Sequence, residues 1–379
     1  MFAPIRTFLA VRRGAPVALI VSAAAVSFLF GATPFLIPEV ADRLEVSLGT
    51  AGLISSTQVL GFAASVFLAG RRLTASRAVL VAAAMAGVAF DATSAVVGSF
   101  PLLLGLRFGA GMAAGLLTWL AWADAMKSTR SMHDIAAVGP LAVFIGAPLL
   151  GWIGSAGGDR ALYLVLAASM ILPALVPVQF AAQPMRDRRS MSPSRSNRVL
   201  LGGLGLLTMA GSALFVFLGA FADLEVGLSA VALSLGFSVN ALAGLIGARL
   251  PWRPRYAWPW LALVAISAGS IVVFPGRAAF YAGMFGWGFA FWMAVPRVLG
   301  RVAEWSLVPE ERVGDAQSLM ALGRSAGPAI GAMLVGSGKF GGLAVFATAG
   351  LCGATGVVAA VEGYRVGRTG PASGHHPPG

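Results

Sequence analysis

The sequence predicts an all-α integral membrane protein, with twelve transmembrane helices arranged as two pseudo-symmetric six-helix bundles. Three observations carry that prediction. The 379 residues are 58% hydrophobic and only 11% charged, whereas an average soluble domain has about 25% charged residues. Apolar runs long enough to cross the roughly 30 Å hydrocarbon core recur along the whole chain. Finally, several features repeat 180 residues apart. Leu44-Glu45-Val46 returns as Leu224-Glu225-Val226, and Asp124 has Glu304 as its counterpart. Gly146-Ala147-Pro148-Leu149-Leu150-Gly151 returns as Ala326-Gly327-Pro328-Ala329-Ile330-Gly331. A period that long reads as two homologous halves, not as a solenoid repeat.

The first run follows Arg6, Arg12 and Arg13 and extends from about Gly14 to Ile37, longer than the ~7–15 apolar residues of a signal peptide. It reads as the first span. The first half continues with candidate helices at 15–38, 48–70, 77–98, 101–125, 133–155 and 160–180. The second half gives 198–222, 228–250, 256–275, 277–300, 313–337 and 340–363. The expected organisation is a segment 1–14, a first bundle 15–180, a polar basic linker 181–197, a second bundle 198–363 and a tail 364–379.

The net charge of +12 does not read as a nucleic-acid surface. The arginines fall in short clusters between apolar runs, and one set of alternate loops holds about five times the Lys and Arg of the other. That asymmetry predicts both termini on the cytoplasmic side of a cell membrane, in a multi-pass chain with no nucleic-acid partner, expected as a monomer. Cys352 alone supports no disulfide framework, and His133, His375 and His376 form no metal-ligand spacing. No metal and no cofactor are expected, and no catalytic constellation appears. Gly336-Ser337-Gly338-Lys339-Phe340 resembles a phosphate loop only in part, since Met333 and Phe340 break the pattern.

Within this frame the chain resembles the major facilitator superfamily over about residues 10–365. Arg107-Phe108-Gly109-Ala110-Gly111-Met112-Ala113-Ala114-Gly115 is similar to the family's fourth-helix motif, an intramembrane Arg followed by a Gly-rich face. Gly139-Pro140 with Gly146, Pro148 and Gly151 resembles the fifth-helix antiporter motif. Pro34-Phe35-Leu36-Ile37-Pro38 is similar to the first-helix end of drug–proton antiporters. Gly70-Arg71-Arg72-Leu73-Thr74-Ala75-Ser76-Arg77 keeps the Gly and the basic residues of the loop between helices two and three, but lacks its Asp. The resemblance implies a cytoplasmic gate in which Asp124 supplies the missing acid to Arg71, Arg72 or Arg77, and Glu304 to Arg249, Arg253 or Arg255. From the residues themselves, small side chains four apart let helices approach closely and proline bends a span, which gives Gly146, Pro148, Gly151, Gly327, Pro328 and Gly331 packing or hinge roles.

An ionisable group inside a span costs at least about 2.5–3.5 kcal/mol, so each needs a partner or a wet cavity. Asp91 and Arg107 lie on either side of the Phe100-Pro101 turn, both roughly 10 Å below one surface at 1.5 Å per residue. They are either a structural ion pair or a proton-coupling pair, in which Asp91 takes a proton and releases Arg107. Arg324 either meets an anionic group in a cavity or pairs with Asp315 or Glu311. Gln58 and Asn240 are buried amides, serving as helix–helix glue or as cavity lining. Trp287 and Trp292, with Phe285, Phe289 and Phe291, form an aromatic wall for a ligand or else face lipid. Trp252, Trp258, Trp260 and Trp305 read as interface anchors.

The expectation is a secondary active transporter of a small organic compound, most simply proton-coupled efflux with the proton gradient as driving force. The alternatives are an uptake permease, a polytopic membrane enzyme or a membrane sensor. An enzyme would need clustered ionisable residues or a sizeable soluble domain, and the sequence shows neither.

Overall fold

The computed structural model describes residues 14–125, 129–180, 194–250, 255–306, 309–335 and 340–368. These residues form thirteen helices. They are α1 (Val17–Gly31), α2 (Thr33–Arg43), α3 (Leu48–Arg72), α4 (Arg77–Val96), α5 (Phe100–Ala125), α6 (Thr129–Leu175), α7 (Arg195–Phe215), α8 (Leu218–Leu224), α9 (Ala230–Arg249), α10 (Trp258–Val273), α11 (Arg277–Glu304), α12 (Pro309–Val335) and α13 (Gly341–Arg368).

Local chemistry sets where these helices start. Ser47, Ser76, Ser194 and Ser229 each accept a hydrogen bond from the backbone N–H three residues on, capping α3, α4, α7 and α9. The expected first span is two helices, α1 and α2, bent by 48° where Ala32 joins them ahead of Pro34. The seventh span is similarly divided into α7 and α8. The fifth and sixth spans merge into the 47-residue α6, too long for one crossing at 1.5 Å per residue. Gly158, at φ 62°, breaks it. There the chain reverses, because Leu162 reaches within 3.3 Å of the Cβ position at Gly154, whereas residues eight apart in a straight helix are about 12 Å apart.

With those three adjustments the twelve passes are present. Their packing shows two pseudo-symmetric groups. In the first, α3 packs on α5, α1 on the first arm of α6, and α4 on α5 and the second arm of α6. In the second, α9 packs on α11, α7 on α12 and α13, and α10 on α11 and α13. The halves meet along two seams, α3 with α12 and α6 with α9, each pairing the second pass of one half with the fifth of the other.

Side chains that join the halves cluster toward the end of the molecule that carries the turns at Glu45, Gly158 and Gly227. There Phe35 meets Phe237 edge-on at 5.6 Å, and Gly219 lies against the Pro34 carbonyl. The Ser238 hydroxyl donates to the Phe144 carbonyl across one seam at 2.9 Å, and Ser325 donates to the Ser56 carbonyl across the other at 2.9 Å.

The opposite end ties helices together within each half. Arg77 donates to the carbonyls of Val176 and Ala174, and Asn197 donates to those of Val302 and Trp305. The Glu362 carboxylate, 3% exposed, accepts from the N–H groups of Ala257 and Trp258 at the start of α10. A carboxylate there satisfies orphan donors and complements the helix dipole. Glu362→Ala should therefore lower stability by about 1–3 kcal/mol, read as a drop in the thermal unfolding temperature of detergent-purified protein. An unchanged temperature would remove the cap from this account.

Candidate functional site

The first half holds a fully buried polar cluster. Asp91 on α4 and Arg107 on α5 are both 0% exposed and form an ion pair. They face each other because α4 and α5 are an antiparallel hairpin closed by the turn at 97–99. A second Arg107 nitrogen donates to Gln58 Oε1 on α3 at 3.4 Å. The guanidinium lies over the ring of Tyr163, from the second arm of α6, at 4.8 Å, a cation–π contact in a desolvated site. Four passes thus converge on one charge pair.

The cluster is not saturated. Asp91 Oδ2, Arg107 Nε, Gln58 Nε2 and the Tyr163 hydroxyl are all buried without a hydrogen-bond partner among the described residues. Buried polar atoms are normally satisfied, so four orphans in one place leave room for a second arrangement of the same groups. Nor does the fold require the charge. The positions 180 residues on from Asp91, Arg107 and Tyr163 are Ile271, Trp287 and Leu343, all buried.

One turn of helix before Tyr163, Asp159 pairs with Arg43 at 2.6 Å. Arg43 also donates to the carbonyls of Val97 at 2.5 Å and Ser94 at 3.2 Å, holding the ends of α2, α4 and the α6 break together. Neither Tyr163 nor the Arg43–Asp159 pair stands out in the sequence. Tyr163 is one aromatic in an apolar run, and Arg43 and Asp159 look like ordinary loop charges.

The other residues expected to line a cavity are dispersed. Asn240 donates to the Met284 carbonyl at 2.8 Å, bridging α9 and α11. Trp287 is buried edge-on against Phe215 at 5.5 Å, whereas Trp292 packs over Gly244 and beside Phe291. Phe285 and Phe289 stack on each other at 6.2 Å, with Phe289 against Trp260. The two tryptophans therefore sit in different contacts, and no single wall joins them. Arg324 is exposed midway along α12 and makes no ion pair to Asp315 or to any other described residue.

Two of the gate residues, Arg77 and Glu304, show bonds other than the expected pairing. Arg77 engages carbonyls at the end of α6, groups that the helix terminus leaves without intrahelical donors. Glu304 pairs with Arg301 at 3.1 Å and Arg297 at 3.6 Å on its own helix, and not with Arg249 or Arg255. Arg301 in turn donates to the Arg255 carbonyl. Residues three and seven apart share a helix face, which makes them closer partners than a loop. Arg72 and Arg249 are exposed. Asp124 is half-buried at the end of α5. Arg253 and the side chain of Arg71 lie outside the described residues, as do the His133 side chain and Gly336–Lys339.

The glycines and prolines of the two repeated motifs sit at helix crossings. A Cβ at Gly146 would fall on the Phe28 ring of α1, and one at Gly151 on Ser234 and Ala230 of α9. Gly327 lies against Met209 and Ser212 of α7, and Gly331 against Ala213 and Phe217. Pro148 is half-buried within α6, and Pro328 is buried within α12.

A model of the Major Facilitator Superfamily matches residues 19–332. The chain belongs to this superfamily of transporters. It is a multi-pass membrane protein whose family moves small molecules across lipid bilayers, and it is not an enzyme. It is 24% identical over 345 residues to the uncharacterized MFS-type transporter YceJ of Bacillus subtilis (strain 168), covering 82% of this chain and 86% of that one. It is 26% identical over 340 residues to a chloramphenicol resistance protein of Streptomyces lividans, covering 79% and 84% of the two chains. Among solved structures, a bacterial homologue of the human lysosomal transporter Spinster, inward-facing and occupied, superposes with a TM-score of 0.68. That match has 12% identity and covers 96% of this chain and 98% of the other. The human organic anion transporter MFSD10 gives a TM-score of 0.65 at 17% identity, over 91% and 97%. These structural likenesses establish the superfamily fold.

Proposed function

We propose that this superfamily member exports a small organic compound across the cytoplasmic membrane in exchange for protons, with the Asp91–Arg107 pair as the proton-responsive element. The observation that carries the reading is the asymmetry of the two halves. One encloses a charged cluster with unmet hydrogen-bonding capacity, whereas the other fills the same positions with Ile271, Trp287 and Leu343. A buried pair that architecture does not need, and that burial makes costly, is a candidate for function. Protonating Asp91 neutralises its carboxylate and releases Arg107, leaving the guanidinium its bond to Gln58 Oε1 and an Nε–H donor that is still free for another acceptor. Gln58 lies on α3 two residues from Ser56, which carries the seam bond to Ser325. A change at Arg107 therefore reaches the contact between the halves through one helix.

In this reading residues 15–180 and 198–363 rock as units about the two seams, joined by the 181–197 linker, with both termini cytoplasmic and the chain acting as a monomer. The resistance function named for the Streptomyces relative supports export over uptake. The test is accumulation of a panel of amphipathic compounds in a pump-deficient bacterial host, with and without a protonophore. Lower accumulation in expressing cells, restored by the protonophore, is expected. Higher accumulation of any compound would reverse the direction to uptake.

A further inference from the structure

At 100° per residue, the residues of α12 fall on distinct sides. Gly323 and Gly327 face α7, where Met209 and Ser212 leave no room for a Cβ. Ser325 faces α3, in the other half of the molecule. Arg324 and Gln317, both exposed, lie together on one of the two sides left between these partners. Leu322, 50% exposed, and Met333, 82% exposed, lie on the opposite side, where apolar exposure matches lipid. Arg324 thus lies midway along a span, beside the contact with the other half and on the side away from the lipid-facing residues, and it is exposed there. It has no hydrogen-bond or ion-pair partner among the described residues. Arg107, the other arginine deep within a pass, is neutralised by Asp91. On the facing helix, the Ser56 hydroxyl is buried and unpartnered.

We infer that Arg324 is the binding site for the anionic group of an amphipathic organic carboxylate. A guanidinium reads a carboxylate through two parallel N–H···O bonds, and this side of α12 offers it a cation that the protein leaves uncompensated. The apolar remainder of such a compound needs only the uncharged surfaces that line most of these helices. The inference deepens the transporter reading by naming a substrate class, and it rests on that reading for the movement of the compound but not for its binding.

Two measurements test it. In a Cys352→Ser background, the Arg324→Cys variant in native membranes should be labelled by a negatively charged thiosulfonate, as a water-filled position requires. The Met333→Cys variant, facing lipid, should not. Binding is then measured by equilibrium dialysis on protein in lipid nanodiscs, with 2-naphthoate and its neutral amide as the matched pair. Naphthoate should bind the unmodified protein about tenfold more tightly than the amide, the preference expected of one charge-assisted hydrogen-bonded contact. Arg324→Gln should abolish that preference, and Arg324→Lys should keep part of it. An unlabelled Arg324→Cys variant would overturn the placement. Equal affinity for acid and amide, or binding of neither, would overturn the anion site while leaving proton-driven export to its own assay. Naphthoate preference without any export would keep the site and sink the export reading.

Discussion

Arg107→Ala is expected to cost about 3–5 kcal/mol, because it leaves the Asp91 carboxylate charged, fully buried and unpaired. It also strips the face of Tyr163 of its cation and Gln58 of its donor. The effect should appear as a low folded yield and a sharply reduced thermal unfolding temperature in detergent. Replacing both members, as Asp91→Asn with Arg107→Gln, removes both charges while keeping polar groups of similar size. The double variant should therefore be more stable than Arg107→Ala, and the two substitutions should show a clear coupling energy in a double-mutant cycle. Additive effects would mean that the pair does not act as a unit.

Gly111→Leu is also expected to be damaging, by another cause. α3 and α5 cross so closely that a Cβ at Gly111 falls onto the carbonyl oxygen of Gln58, and one at Gly61 onto the carbonyl of Phe108. Backbone cannot swing aside as a side-chain end can. The two helices must separate, at a cost of about 1–3 kcal/mol or more, and Gln58 is carried away from Arg107 as they do. Gly105→Leu on the same helix is the control, since nothing lies within 4 Å of its Cβ position. Loss of folded protein in Gly111→Leu but not Gly105→Leu is predicted. Equal tolerance would contradict the close crossing.

The parts of this architecture that were legible in sequence are those set by composition and period. Low charge and long apolar runs specify spans, since lipid offers no other solvent for backbone polar groups, and the 180-residue repeat specifies two related halves. Asp91 and Arg107 were legible for the same reason, as rare charges at matched depth on a hairpin. What stayed hidden depends on the third dimension. The bend at Ala32 divides the first span inside an unbroken apolar run, whereas the break at Gly158 falls in the gap expected between the helices at 133–155 and 160–180. The repeated Leu-Glu-Val triplets carry the same residues, yet Glu45 adopts a left-handed backbone whereas in the second half Gly227 does so. Tyr163 becomes informative only when α6 folds back to lay it on Arg107. At Glu304 and Arg77 the bonds seen are not the ones expected of the gate, because sequence lists possible partners without distances. Same-helix arginines and helix-end carbonyls are the partners there.

The most direct test of the central claim is transport in proteoliposomes with an imposed pH gradient, comparing the unmodified protein with Asp91→Asn. The compound is one identified by the accumulation panel, and thermal unfolding checks that the variant is folded. The account predicts that the unmodified protein concentrates the compound against its own gradient when protons flow the other way. Asp91→Asn should still equilibrate the compound across the membrane but should no longer respond to the pH gradient. Gradient-driven accumulation that persists in Asp91→Asn would contradict the account, leaving Asp91 and Arg107 as a structural pair and placing the coupling elsewhere in the protein.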